Sequence, residues 1–137
     1  MKQCSKSAGQ TLIEFALLIP VVLALILGFL DLGRAIFYYS SLSNAVREAT
    51  RYAIVQNPYD EEKIKDKLVD YAFALTNTPN PLDRNDIIIT LLPLDNDPKT
   101  NISITATYVF VPITPFIAPD GFTLEVQSNM RIAAHAR

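Results

Sequence analysis

Apolar positions crowd the beginning of this chain. From Phe15 to Leu30 there is no charged residue, and apart from Pro20 and Gly28 every position carries an aliphatic or aromatic side chain. Taken from Gln10 to Leu30 as a helix, the segment is about 31 Å long at 1.5 Å per residue. That matches a hydrocarbon core about 30 Å thick, so the pattern predicts one membrane-spanning helix. Lys2 and Lys6 precede it, while Asp31 and Arg34 stand at its far flank. The positive-inside tendency then puts the N-terminus in the cytoplasm and everything after Leu30 outside. Asp31 and Arg34 are the expected membrane boundary, and their spacing allows an ion pair along the helix. Pro20 lacks an amide donor and is the expected helix kink. Gly28 and Gly33 are small enough for a neighbouring helix to approach closely.

Beyond the apolar run the period stays helical but becomes one-sided. Ala35, Tyr38, Tyr39, Leu42, Ala45, Val46, Ala49, Tyr52 and Ala53 recur at three- and four-residue steps, opposite Ser40, Ser43, Asn44, Arg47, Glu48 and Arg51. One helix is therefore expected from about residue 10 to 56, ended by Asn57-Pro58. Tyr38 and Tyr39 are expected as interfacial anchors and Tyr52 as a core residue. Residues 60–75 predict a second helix, with Asp60, Glu61 and Glu62 at the positive end of its dipole. Its apolar stripe would be Ile64, Leu68, Tyr71, Ala72 and Leu75.

The pattern then shifts to strands. Residues 86–92 are apolar and β-branched, 101–111 alternate, and 122–133 alternate again, each of the last two with one apolar and one polar face. That is the signature of an antiparallel sheet covered on one side, with loops at 76–85, at 93–98 and across the proline-rich stretch 112–121. The amphipathic part of the first helix is the natural cover. The fold class is α+β: a long helix, a second short helix and a small three-stranded antiparallel sheet.

One charge breaks the opening pattern. Glu14 lies at the lip of the apolar run, five positions after Gly9. A carboxylate in a bilayer is costly, about 2.5–3.5 kcal/mol at a helix centre and less near the interface, so it calls for a partner. A secretory signal does not explain it, because the apolar run is too long and no small-residue cleavage site follows.

Composition narrows the possibilities. The 137 residues allow one domain plus a membrane segment, and the net charge of −2 suggests no nucleic-acid partner. Loss of residues 1–9 would leave 10 basic residues against 14 acidic ones, a net charge of −4. Cys4 is the sole cysteine, so no internal disulfide can form, and no apolar stretch precedes it as a lipoprotein would need. With one histidine, His135, a zinc site has no support. No glycine-rich phosphate loop occurs, and Asp83, Asp86, Asp95 and Asp97 lack the spacing of a calcium loop. No cofactor, metal or catalytic residue is expected, and the chain reads as a non-enzyme. Asn101-Ile102-Ser103 fits a glycosylation acceptor, a short match that arises often by chance.

The stretch Gly9-Gln10-Thr11-Leu12-Ile13-Glu14 resembles the prepilin-peptidase site of type IV pilin-like proteins. With Phe15 to Pro20, Gly28 to Arg34 and Asn44 to Ala53, it looks more specifically like the TadE group of minor pilins in bacterial Tad systems, which make adhesive Flp pili. The resemblance covers residues 9 to about 55. It implies a pilin-like lollipop with a leader at 1–9, an assembly helix at 10–33 and an extracytoplasmic head at 34–137. It implies cleavage between Gly9 and Gln10 by an aspartyl membrane protease. Glu14 would then neutralise the freed amine at Gln10 of a neighbouring subunit. An ion pair in such a low-dielectric setting is strong enough to fix axial register. The implied partners are other pilins and pilin-like subunits, the prepilin peptidase, the inner-membrane assembly platform and, before assembly, membrane lipid. A main filament subunit and an uncleaved single-pass anchor displaying a binding head are the alternatives.

Overall fold

A computed structural model describes residues 6–55, 60–94, 97–114 and 119–132. Helix α1, Lys6–Val55, is one unbroken helix of 50 residues that runs through Pro20, about 75 Å at the standard rise. It begins at Lys6, earlier than expected, so the Gly9–Gln10 bond lies within helical backbone. The expected end at 56–58 falls outside the described residues. Residues 9–27 are exposed on every side. Packing begins at the half-buried Gly28 and the buried Asp31 and continues along Ala35, Leu42, Ala45, Val46, Ala49 and Ala53.

The predicted stripe on the outer half of α1 is thus the buried one, with two refinements. Tyr39 faces outward, and Tyr38 does not reach away from the head as an anchor. Its ring packs edge-on against Tyr108 at 5.9 Å and Phe110 at 5.8 Å, an arrangement favoured by aromatic quadrupoles. Tyr52 is half-buried against the core, as expected.

Helix α2 spans Glu61–Tyr71. Asp60 caps it by accepting the Lys63 amide at 3.2 Å, and Glu61 and Glu62 occupy its first turn. The single helix expected to Leu75 divides at Ala72, whose amide is shared between the carbonyls of Leu68 and Val69. A one-turn helix α3, Phe73–Thr76, follows. Ile64, Leu68, Ala72 and Leu75 are buried, but Tyr71 points to solvent. A 3₁₀ turn at Arg84–Asp86, capped reciprocally by Asp83 and Asp86, takes up the position where the first strand was expected to start. Arg84 reaches from this turn to Asp66 and Glu62 of α2.

Three strands form an antiparallel sheet in the order β1 (Ile87–Leu94), β2 (Asp97–Phe110), β3 (Phe122–Arg131). The expected loop at 93–98 is largely strand: Leu94 pairs with Asp97, with a register irregularity between Leu92 and Leu94. The irregularity falls at Pro93, which has no amide to donate to the ladder. Ile102, Ile104, Ala106, Tyr108 and Phe110 of central β2 are buried against α1. On the opposite face Gln127 donates to Ser103 at 2.9 Å. The Asn101-Ile102-Ser103 match therefore lies within the ladder of the central strand. Gly121 precedes β3 with φ of 75°. A Cβ there would run into the Phe110 carbonyl, so glycine is needed both for conformation and for space. The whole is an α+β lollipop with α1 as its stick.

Candidate functional site

The inner half of α1 is an uncovered apolar rod. Leu12, Ile13, Phe15, Leu17 and Phe29 each keep about two-thirds or more of their surface. The helix is long and apolar enough to cross a membrane, and no residue of its apolar run is buried in the head. In water such a surface would be strongly unfavourable, at about 25 cal/mol per Å². Its length and exposure fit a single-pass membrane protein.

At the start of the rod, Gly9 and Gln10 are exposed. The Gln10 side-chain amide donates to a Glu14 carboxylate oxygen at 3.3 Å. A carboxylate and an amide one helical turn apart meet on the same face. The Glu14 carboxylate thus has a neutral donor from its own chain, a contact the spacing permitted but that the sequence reading did not single out. A neutral donor leaves the charge uncompensated.

Where stick meets head, Asp31 is only 5% exposed. The expected ion pair with Arg34 is present, at 3.1 Å, but Asp31 does much more. One carboxylate oxygen accepts the Ile113 amide at 2.9 Å. The other accepts the Thr114 amide at 2.9 Å and the Thr114 hydroxyl at 2.5 Å. Arg34 in turn lies over the rings of Phe110, 5.3 Å from the centroid, and Tyr38, at 5.6 Å, within range of cation–π attraction. The carboxylate is fully used in fastening the segment after β2 to the helix.

Ile113 and Thr114 follow the last paired residue of β2, between Pro112 and Pro115. Their amides have left the ladder, and buried backbone donors need an acceptor. A tight pair of prolines around two free amides was the available signal, but it does not say which of 14 carboxylates answers it. Beside the clasp, Gly28, Leu32, Ala35, Phe110, Pro112 and Phe122 line a small apolar recess of about 130 Å³. Among the described residues no group of three or more His, Cys, Asp and Glu is placed to hold a metal ion.

Residues 9–51 match the family model of TadE-like proteins. The similarity is confined to the N-terminal third of the chain. The match opens on Gly9, runs through the exposed apolar rod and the Asp31–Arg34 pair, and ends on the amphipathic half of α1. It stops before α2, so the second helix, the sheet and the clasping segment at 113–114 lie outside it. Comparison with curated proteins and with solved structures gives no match.

Proposed function

We propose that this chain is a structural pilin-like subunit, a minor one, of a Tad/Flp-type pilus or of its base. It inserts with residues 1–9 in the cytoplasm and its head outside, is cleaved between Gly9 and Gln10, and enters the assembly through α1. The carrying observation is that the TadE-like match begins on Gly9 and includes Glu14 and the entire exposed rod. A rod apolar all round is suited first to lipid and then to the equally apolar flanks of neighbouring subunits.

In this reading Glu14 has two successive partners. Before cleavage the Gln10 side chain supplies a neutral hydrogen bond, which lowers the cost of holding the carboxylate at the lip of the bilayer. After cleavage the new ammonium at Gln10 of an adjoining subunit supplies a charge. The swap from a neutral to an ionic partner makes assembly depend on processing. The role is structural and not enzymatic. Partners are other pilins, the prepilin peptidase and the assembly platform of the inner membrane.

Mass spectrometry of the protein from cells with and without the prepilin peptidase tests the processing step. A mature N-terminus at Gln10 only when the peptidase is present is the expected result. An N-terminus at Met1 in both strains would refute it. Counting copies in sheared filaments separates a minor subunit from the main one.

A further inference from the structure

We propose that the segment leaving β2 makes a second membrane contact. Val111 and Ile113, with Phe122 beside them, dip into the head-side leaflet of the bilayer that α1 crosses. The inference rests on the reading of α1 as a spanning helix. Three observations carry it. First, the Asp31 clasp fixes height: the Ile113 and Thr114 amides are bonded to the residue directly after Leu30, the end of the apolar run. The Phe110 ring lies against Arg34 and Tyr38, whereas Ile113 and Thr114 bond to Asp31, nearly one turn nearer the apolar run, so the chain descends toward the membrane side as it leaves the sheet.

Second, the side chains held at that height are apolar and open. Val111 is 47% exposed, Ile113 63% and Phe122 43%, and Phe122 and the intervening Pro112 share a recess with Gly28 and Leu32 of the helix. An apolar collar of this kind marks an interaction surface, and this one is continuous with the rod. Third, charge is nearly absent. Between residues 110 and 122 only Asp120 is ionisable, and on the adjoining helix Asp31 and Arg34 neutralise each other. Apolar side chains on an interfacial element bury about 5–10 Å into the boundary between headgroups and acyl chains. Lipid is favoured over a second copy because the collar has no break from the lipid-facing rod. The contact would hold the head close to the bilayer, at a fixed tilt, instead of letting it swing on the helix.

The chain contains no tryptophan, so single reporters can be placed without background. Ile113→Trp is made in the full chain, reconstituted in phosphatidylcholine vesicles whose acyl chains carry bromine just below the headgroups. Leu23→Trp reports on the span and Phe73→Trp, exposed on α3, on the water-facing head. The proposal expects strong quenching and blue-shifted emission for Ile113→Trp, and for Val111→Trp as a second reporter, with neither effect for Phe73→Trp. It is overturned if Ile113→Trp and Val111→Trp behave like Phe73→Trp while Leu23→Trp is quenched. A blue shift that disappears on dilution of protein in lipid assigns the collar to a second copy and also overturns it. If Leu23→Trp itself is unquenched, the spanning helix fails, and this inference fails with it.

Discussion

Thr114 gives both its amide and its hydroxyl to a single oxygen of Asp31, at 2.9 and 2.5 Å, across 83 positions of sequence. With Ile113 on the other oxygen, the carboxylate joins the end of the apolar rod to the segment that leaves the central strand. Hydrogen bonds to an ionised acceptor are roughly twice as strong as neutral ones, and this one is shielded from water. Asp31→Ala would leave the Thr114 and Ile113 donors without their acceptor, at a cost of about 1–3 kcal/mol. For a head of this size each kcal/mol lowers the melting temperature by about 4–8 °C. Thermal unfolding in detergent, followed by near-ultraviolet dichroism of the tyrosines, should show that drop. Thr114→Val, which keeps the amide and loses only the hydroxyl, should cost less. An Asp31→Ala protein that melts with the wild type would mean that the clasp adds nothing to stability.

Gly121→Ala tests the opposite end of the same segment. Its φ of 75° and the nearby Phe110 carbonyl leave no comfortable place for a methyl group. A non-glycine residue in the left-handed region costs on the order of 1–3 kcal/mol, and here the clash adds to it. The strain falls where Phe110 pairs with Phe122, so the expected loss is local. Amide exchange at Phe122 and Thr123 should accelerate more than at Ile104 in the middle of β2. Equal acceleration throughout would show that the sheet opens only as a whole.

Much of this architecture follows from residue pattern. The rod and the amphipathic continuation of α1 are periodic over dozens of residues, and the faces of β2 and β3 alternate cleanly, so burial alone dictates them. The misassigned pieces share a cause, which is that local signals were outweighed by contacts from elsewhere. Prolines at 93 and 98 read as a loop, yet the ladder tolerates them beside a register shift. Tyr38 has the composition of an anchor, but Tyr108 and Phe110 offer it a packed site. Asp31 and Arg34 were visible as a helical pair, and that pair formed. The greater role of Asp31 depends on two amides 82 and 83 positions away, which no local pattern encodes. Gly9 and Glu14 stand within six consecutive residues, and the family match that opens on Gly9 includes both.

The start of α2 carries a pH dependence whose sign can be worked out. The Asp60 carboxyl is held below its ordinary value, first by the hydrogen bond from the Lys63 ammonium and then by the Lys63 amide. Lys63 is raised above its own by the same partner. A depressed carboxyl contributes stability that is present above its unfolded value near 3.8 and disappears as pH falls through the lower folded value. A raised ammonium contributes below about 10.5, and that contribution fades as pH climbs past the folded value. Protection of the Lys63 and Ile64 amides, taken as the exchange rate relative to that of an unstructured peptide at the same pH, should therefore be greatest between these limits and smaller at the acid end. Asp60→Asn, which keeps a capping oxygen, should remove the acid-side change. Acid sensitivity that survives in Asp60→Asn would assign it to another carboxylate.

Glu14 separates geometry from charge. Glutamine at this position can still accept from the Gln10 side chain one turn earlier, and it lowers the cost of membrane insertion because it is uncharged. Under the proposed function, Glu14→Gln should insert and be cleaved as the wild type would be, yet fail to reach sheared filaments or the assembled base, because it cannot neutralise an ammonium. Glu14→Ala should fail in the same way, and Glu14→Asp should recover part of the incorporation through its shorter carboxylate. The readout is the ratio of mature subunit in the pilus fraction to mature subunit in the membrane fraction, measured for all three variants. Pairing with a freed amine predicts the order wild type, Asp, then Gln with Ala. If Gln assembles as well as the wild type, the requirement is for a polar side chain of the right length, and charge compensation is refuted. If all three assemble, α1 is held by its apolar surface alone and Glu14 only reaches the headgroups. The Gln10 contact gives this series its resolving power, since a glutamine at position 14 keeps that hydrogen bond and loses only the charge that the proposed assembly contact requires.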